Sequence, residues 1–302
     1  MKLLKKVHKM NKHLSIISAA LLSLSTSVLA ADVDVGSREY KLLLDTTFFT
    51  GNATTRETKV NNYWTGLKNL IENDSIERNT SGSLSLEKSR TVIFYDVENS
   101  CNLFNSGYIF RERIDNGNRE VTLKFRSPDR FIASKKDMDG TVSGWESKFE
   151  EDLAAPFSSK YSYSTKQDIS QSKNLNKMDD PVGLLPGLED ENFDETLAIE
   201  KVGNLTVNEY VYKNSSVDLG ALDGEFSLTL WYNETVSTTQ PIVAEISFKY
   251  EDINEDFSNN VVTRSKILFS AMQEDSTVAS WNAQNSLTKT ETVYQYDSNF
   301  CN

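Results

Sequence analysis

Residues 91 to 126, TVIFYDVENSCNLFNSGYIFRERIDNGNREVTLKFR, alternate charged or polar with apolar side chains at period two. Successive side chains of an extended chain point to opposite faces, so this spacing predicts three strands, each with one apolar and one polar side. In GYIFRER, Arg111 and Arg113 share a face opposite Phe110, and in EVTLKFR, Thr122, Lys124 and Arg126 oppose Val121, Leu123 and Phe125. Cations gathered in this way on one sheet face ask for an anion. A half-buried strand with its charges in water alternates identically, so a solvated face is the competing reading.

The pattern recurs. REYKLLL sets Glu39 and Lys41 against Tyr40 and Leu42, and WESKFEEDL sets Glu146, Lys148, Glu150 and Asp152 against Trp145, Phe149 and Leu153. AEISFKY sets Glu245, Ser247 and Lys249 against Ala244, Ile246 and Phe248. Strands with one apolar face and mixed charges on the other suit a solvated sandwich or a sheet closed around a polar lumen.

In order and residue type these segments resemble the CYTH superfamily, the triphosphate tunnel metalloenzymes, which include inorganic, thiamine and RNA triphosphatases and class IV adenylyl cyclases. The resemblance spans roughly residues 37 to 275. Its most specific part is FYDVEN, then Leu103, then Gly107 through Arg113 as G-x-x-L-R-x-R with Phe110 for Leu, then Thr122-Leu123-Lys124 as the T-x-K strand. Lys148 to Asp152 stands for R-x-E-x-E, and Glu245 to Lys249 for a late E-x-E-x-E strand. The resemblance implies an α+β fold: a mainly antiparallel closed β-barrel, or tunnel, with a polar lumen and helices packed outside. It also implies a phosphate-rich anion, a triphosphate or an organic phosphate, held by Lys41, Arg111, Arg113, Lys124, Arg126 and Lys148. Glu39, Glu150, Asp152 and Glu245 would hold Mg or Mn.

This chain departs from the family pattern on the acidic side. The opening E-x-E-x-K is Ser37-Arg38-Glu39-Tyr40-Lys41 here, the late strand keeps only Glu245 of three acids, and FSLTLWYNET runs into Trp231 and Tyr232. The segment LTVNEYVYK also lacks the basic residue expected before Tyr210. A triphosphate, with about four negative charges, can be held by Arg forks and Lys ammonium groups alone. Hydrolysis asks for a divalent ion with several oxygen ligands, bridging phosphate oxygens and orienting water. Two readings follow: a metal-dependent phosphohydrolase of triphosphatase type, or a binding protein without catalysis. A third is a structural domain whose lumen is filled by its own Arg–Glu pairs.

Residues 1 to 30 read as a signal peptide: five lysines and no acid, an apolar run near Leu14 to Leu29, and a Val28-Leu29-Ala30 cleavage pattern. Met10 is an equally good start. The mature chain, residues 31 to 302, is expected to be a single exported domain, periplasmic or secreted, with no stable membrane anchor. Its loss of five lysines takes the formal charge from −12 to −17. An exterior so acidic excludes nucleic acid as a general partner, while leaving room for a local cationic tunnel or a protein partner. Cys101 and Cys301 are the only cysteines. In an oxidising compartment a disulfide is their natural pairing, two free thiols the alternative. Both histidines, His8 and His13, fall in the leader, so the mature chain has neither a Ser-His-Asp system nor an imidazole-ligated zinc.

Residues 51 to 90 read as an insert with an amphipathic helix, NNYWTGLKNLIEN, whose Tyr63, Leu67, Leu70 and Ile71 pack on the sheet exterior. Residues 155 to 196 read as a long crossover with one short helix, VVTRSKILFSAMQ as a helix and KTETVYQY as a final strand. The four tryptophans read as packing anchors, and Asp96 as a turn former.

Overall fold

The Asn116–Gly117 pair, at φ 50° and 83°, turns the alternating segment back on itself, the backbone that a tight two-residue hairpin requires. A computed structural model places the two arms as β3 (Tyr108–Asp115) and β4 (Asn118–Ser127), paired in register from Tyr108 opposite Phe125 to Asp115 opposite Asn118. It describes residues 33–73, 76–234, 239–284 and 287–302, and the expected leader lies outside them. Gly107, at φ 84°, makes the entry to β3 possible, because a side chain there would press on the Arg126 carbonyl and the Phe125 ring.

The other strands are β1 (Ser37–Leu43), β2 (Thr80–Asp96), β5 (Glu146–Ala154), β6 (Ser158–Ile169), β7 (Glu200–Lys201), β8 (Val207–Asp218), β9 (Asp223–Asn233) and β10 (Val243–Glu251). Their order is β3-β4-β6-β5-β1-β10-β9-β8-β2, and β2 pairs again with β3, so nine strands close a ring with β7 on the end of β2. Every neighbouring pair is antiparallel except β1 with β5. The α+β, mainly antiparallel closed sheet is therefore observed.

Most of the apolar strand faces point outwards and are covered by helices. Helix α1 (Ala53–Asn73) lays Val60, Tyr63, Trp64, Leu67, Leu70 and Ile71 on the sheet, with α5 (Asn259–Glu274) and α6 (Ser276–Ala279) beside it. The outward residues of β3 and β4, including Phe110 and Leu123, pack on the crossover that carries α4 (Asp179–Leu184). Three shorter helices complete the chain: α2 (Asn102–Asn105), α3 (Arg130–Ser134) and α7 (Lys289–Tyr294). No helix among the described residues is long and apolar enough to cross a membrane.

Three segments differ from expectation. The insert of residues 51 to 90 ends where β2 begins at Thr80. The first half of β2 is polar, and bulges at Gly82/Ser85 and Leu86/Lys88 break its alternation against β8. The crossover of residues 155 to 196 contains the strand β6. Its lumen face offers only Ser and Lys to pattern reading. KTETVYQY forms the helix α7 instead of a strand, because Thr288 and Glu291 build a reciprocal capping box. Cys101 and Cys301 are joined, 200 residues apart, which in the chain-entropy view contributes about 5 kcal/mol.

Candidate functional site

The ring encloses a cavity of about 1260 Å³ lined by eleven Lys and Arg side chains and seven Asp and Glu. This local surplus of cations lies inside a chain of formal charge −12. Every residue expected to bind phosphate or metal faces it: Lys41, Arg111, Arg113, Lys124, Arg126 and Lys148, together with Glu39, Glu150, Asp152 and Glu245. Strand alternation delivers them, so the solvated-face reading of the 91 to 126 segment gives way to a lumen wall.

On the β1–β5–β10 side the charges are closely paired. Lys41 Nζ lies 2.7 Å from Asp152 Oδ1 and 3.0 Å from Glu39 Oε2, because the parallel register sets Glu39 beside Asp152. Lys148 Nζ is 2.8 Å from both Glu150 and Glu251. Ser37 Oγ donates to Glu150 Oε1 at 3.0 Å, and Glu245 is 2.7 Å from Lys289 Nζ. Burial works against the charge of Glu39, yet Lys41 outweighs it and holds the carboxyl at about 2. Asp152 is likewise held low against its burial by Lys41, Lys124 and Arg126, and burial fails to discharge Lys41, which Asp152 and Glu39 push upward.

On the β3–β4 side the cations are loosely held. Arg111 has no carboxylate within ion-pair distance among the described residues; its Nη2 donates to Thr122 Oγ1 at 3.4 Å, and its buried Nε has no partner. The buried Nε atoms of Arg113 and Arg126 are also without hydrogen-bond partners. Arg113 reaches Glu120 at 3.8 Å and Glu209 at 4.0 Å, Lys124 reaches Glu150 at 3.5 Å, and Arg126 reaches Asp152 at 3.5 Å. Burial, then the neighbouring Arg113, pushes Arg111 well below the ordinary guanidinium range. Burial brings Lys124 down to about 8 despite Asp152 and Glu150. Half-buried cations so loosely paired carry a desolvation cost, and an incoming anion would relieve it.

The carboxylates reach the lumen separately engaged. Among the described residues no group of three or more Asp, Glu, His or Cys side chains is placed to hold a metal ion. Mg or Mn needs several oxygen ligands in near-octahedral arrangement, and the Lys41 ammonium already sits between Glu39 and Asp152. As arranged, the residues do not fit a resident divalent cation.

Sequence reasoning missed Arg90, Glu209 and Lys289, which also line the lumen. Glu209 is buried, accepts from Trp231 Nε1 at 3.0 Å and pairs closely with Arg90. Against its burial, Arg113 and Arg90 bring its carboxyl to about 2. The alternation of Glu209, Val211 and Lys213 with Tyr210 and Tyr212 carried that signal. Trp231 is a lumen residue as well as a packing anchor, lying under Lys289 Nζ at 5.7 Å. Asp96 acts as a turn former, accepting from the Val97, Leu103 and Phe104 amides.

Solved structures similar to this chain include a candidate adenylyl cyclase from Hippeastrum with a dominant triphosphatase activity, at 13% identity and TM-score 0.42, covering 87% of this chain and 96% of that one. A candidate adenylate cyclase from Bacillus halodurans matches at 10% identity and TM-score 0.38 over 86% of this chain and 97% of its own. A third, from Vibrio parahaemolyticus, matches at 10% and 0.34 over 86% and 98%. With TM-scores below 0.5 they bear on neither ligand nor chemistry, which rest on the ring and its lining. No protein-family model and no curated protein matches the sequence.

Proposed function

We propose that the protein binds a phosphate-rich anion, a triphosphate or an organic phosphate, inside the ring, using its own cations and no resident metal. The observation that carries this is Arg111, a half-buried guanidinium on the lumen wall whose buried Nε has no hydrogen-bond partner and which, among the described residues, has no carboxylate within ion-pair distance. Arg113, Lys124 and Arg126 complete the anion-facing wall. Their forked and point-like donors suit phosphate oxygens, and each contact to a charged group is worth about 1.5–3 kcal/mol. Lys41 and Lys148 are engaged with carboxylates and serve mainly to neutralise the opposite wall. Export sets the compartment in this proposal, and the disulfide fits an oxidising one; a mature chain retaining residues 1 to 30 would remove that part.

The test is calorimetric titration of the purified protein with tripolyphosphate, with and without Mn, alongside Lys124→Ala. The expected outcome is saturable binding that does not need Mn and is about tenfold weaker in Lys124→Ala. Binding that requires Mn would restore the metal-dependent phosphohydrolase, with Glu39, Glu150, Asp152 and Glu245 rearranged around the ion, and phosphate release would be measured next. Absence of heat under every condition would mean a lumen occupied only by its own ion pairs.

A further inference from the structure

Residues 287–302 cross one end of the ring. Alternation turns Val92, Phe94, Ile109, Val207, Trp231 and Val243 towards the interior, and there they cluster with Val293, Tyr294 and Phe300 of the C-terminal segment. The same segment turns a polar face to the cavity, which Thr288 to Glu291 help to line. Lys289 Nζ is 2.7 Å from Glu245, Arg126 Nη1 donates to Thr290 Oγ1 at 3.3 Å, and Glu291 lies 3.8 Å from Lys160. Helix α7 is thus the closed end of the lumen, touching β4, β6, β9 and β10.

Its attachment is of a different kind from that of the strands. After Ala283, whose N–H donates to the Leu43 carbonyl, the one backbone hydrogen bond tying the segment to the ring among the described residues is from Asn99 N–H to Phe300 O. Side chains and the disulfide supply the rest. Tyr294 OH donates to Asp96 Oδ2 at 3.0 Å, the Tyr294 ring stacks on Phe104 at 4.1 Å, and Cys301 is bonded to Cys101 in the β2–β3 loop. These three anchors meet on the β2–β3 connection, at Asp96, Cys101 and Phe104, and on β9 Asn233 Nδ2 donates to Tyr296 OH at 2.8 Å.

We infer that the C-terminal segment is a tethered strap that closes the lumen and contributes Lys289 to the bound anion, the Cys101–Cys301 disulfide being the bond that keeps Lys289 in place. This rests on the anion-binding reading. Lys289 waits on Glu245 in the free protein and is shared with the anion in the complex, as a flexible ammonium is suited to do. The disulfide then acts on affinity as well as on stability, since an untethered strap must be ordered again each time the anion binds.

Tripolyphosphate affinity and dissociation rate are measured for the oxidised protein, the dithiothreitol-reduced protein, Cys301→Ser, Lys289→Ala and reduced Lys289→Ala. Reduction converts the disulfide to two thiols while dithiothreitol becomes its cyclic disulfide, and circular dichroism checks that the ring stays folded. Reduction, Cys301→Ser and Lys289→Ala are each expected to weaken binding about tenfold, the value of one charged contact. In the Lys289→Ala background reduction should add less than about threefold, because the tether acts through that side chain, and Lys289→Arg should recover most of the affinity. Unchanged affinity on reduction, or an equal further loss in Lys289→Ala, overturns the inference. If tripolyphosphate does not bind the oxidised protein, the anion reading fails by itself and the ligand role of Lys289 with it. Hydrogen exchange then decides the strap: faster exchange of residues 287–302 on reduction, with the ring strands still protected, supports it, and a segment as protected as the ring refutes it.

Discussion

Lys41 on β1 holds its ammonium 2.7 Å from Asp152 and 3.0 Å from Glu39, whereas Arg111, four strands away around the ring on β3, has a threonine hydroxyl at 3.4 Å and no carboxylate. Both line the same cavity. The difference comes from which residues share their strands. On β5 and β10 the lumen-facing positions include Glu146, Glu150, Asp152 and Glu245, so cations on that side find acids across one strand spacing. On β3 and β4 the cavity-lining residues are Ile109, Arg111, Arg113, Thr122, Lys124 and Arg126, and the acid of that face, Glu120, comes no nearer than 3.8 Å to Arg113 and pairs with none of the others. Protonation follows the same division, with Lys41 and Lys148 pushed up by their acids after burial is overcome, and Arg111, Arg113 and Lys124 pushed down, chiefly by burial. One wall is finished by its own ion pairs; the other is not.

The largest effect that can test this division is on the finished wall. Lys41→Met leaves Glu39 and Asp152 facing each other without their shared cation. Breaking a buried pair from one side costs about 3–5 kcal/mol, to be read from urea unfolding. A loss below about 1 kcal/mol would show that the carboxylates find other partners or water, and that this wall is less closed than its distances indicate.

The opposite sign is expected across the lumen. Arg111→Met removes a half-buried charge that has a threonine hydroxyl but no carboxylate beside it, so the protein should be stabilised, by about 1–2 kcal/mol, while tripolyphosphate affinity falls by about 30-fold. Few substitutions both stabilise and disable, and those that do mark strained functional positions. A destabilised Arg111→Met with unchanged affinity would make Arg111 a structural cation and dissolve the contrast between the walls.

The distinction between the walls was only half legible in the sequence. Period-two alternation and the motif order identified the strands that carry Arg111, Lys124, Glu39 and Asp152, because an amphipathic strand advertises both of its faces. The strand β6 advertised neither, since Ser162 and Ser164 on its lumen side are as polar as a loop. The partner of each charge was not legible, because pairing depends on register between strands far apart in the chain: Glu39 meets Asp152 through the parallel β1–β5 pair, and Arg90 meets Glu209 through β2–β8. For the same reason the acids that looked like metal ligands proved to be engaged by lysines. Lys289 escaped notice because a capping box made its segment a helix where β-branched residues pointed to a strand.

The smallest effect concerns Lys124, which stands between the walls, 3.5 Å from Glu150 and 4.0 Å from Asp152. Burial, only partly offset by those acids, lowers its ammonium to about 8 in the free protein. A bound polyanion favours the charged form, so binding takes up a proton above that pH. Affinity should therefore be level below about pH 8 and fall above it, by at most about tenfold per pH unit. Stability of the free protein moves the other way. Between pH 8 and the ordinary lysine value near 10.4 the unfolded chain holds the extra proton, and the linkage relation then makes stability rise with pH. Lys124→Arg stays charged throughout and should flatten the protein's share of both slopes, and the difference from wild type cancels the titration of tripolyphosphate itself. If the two proteins show the same pH profile, Lys124 does not contact the anion, and the unfinished wall reduces to its arginines.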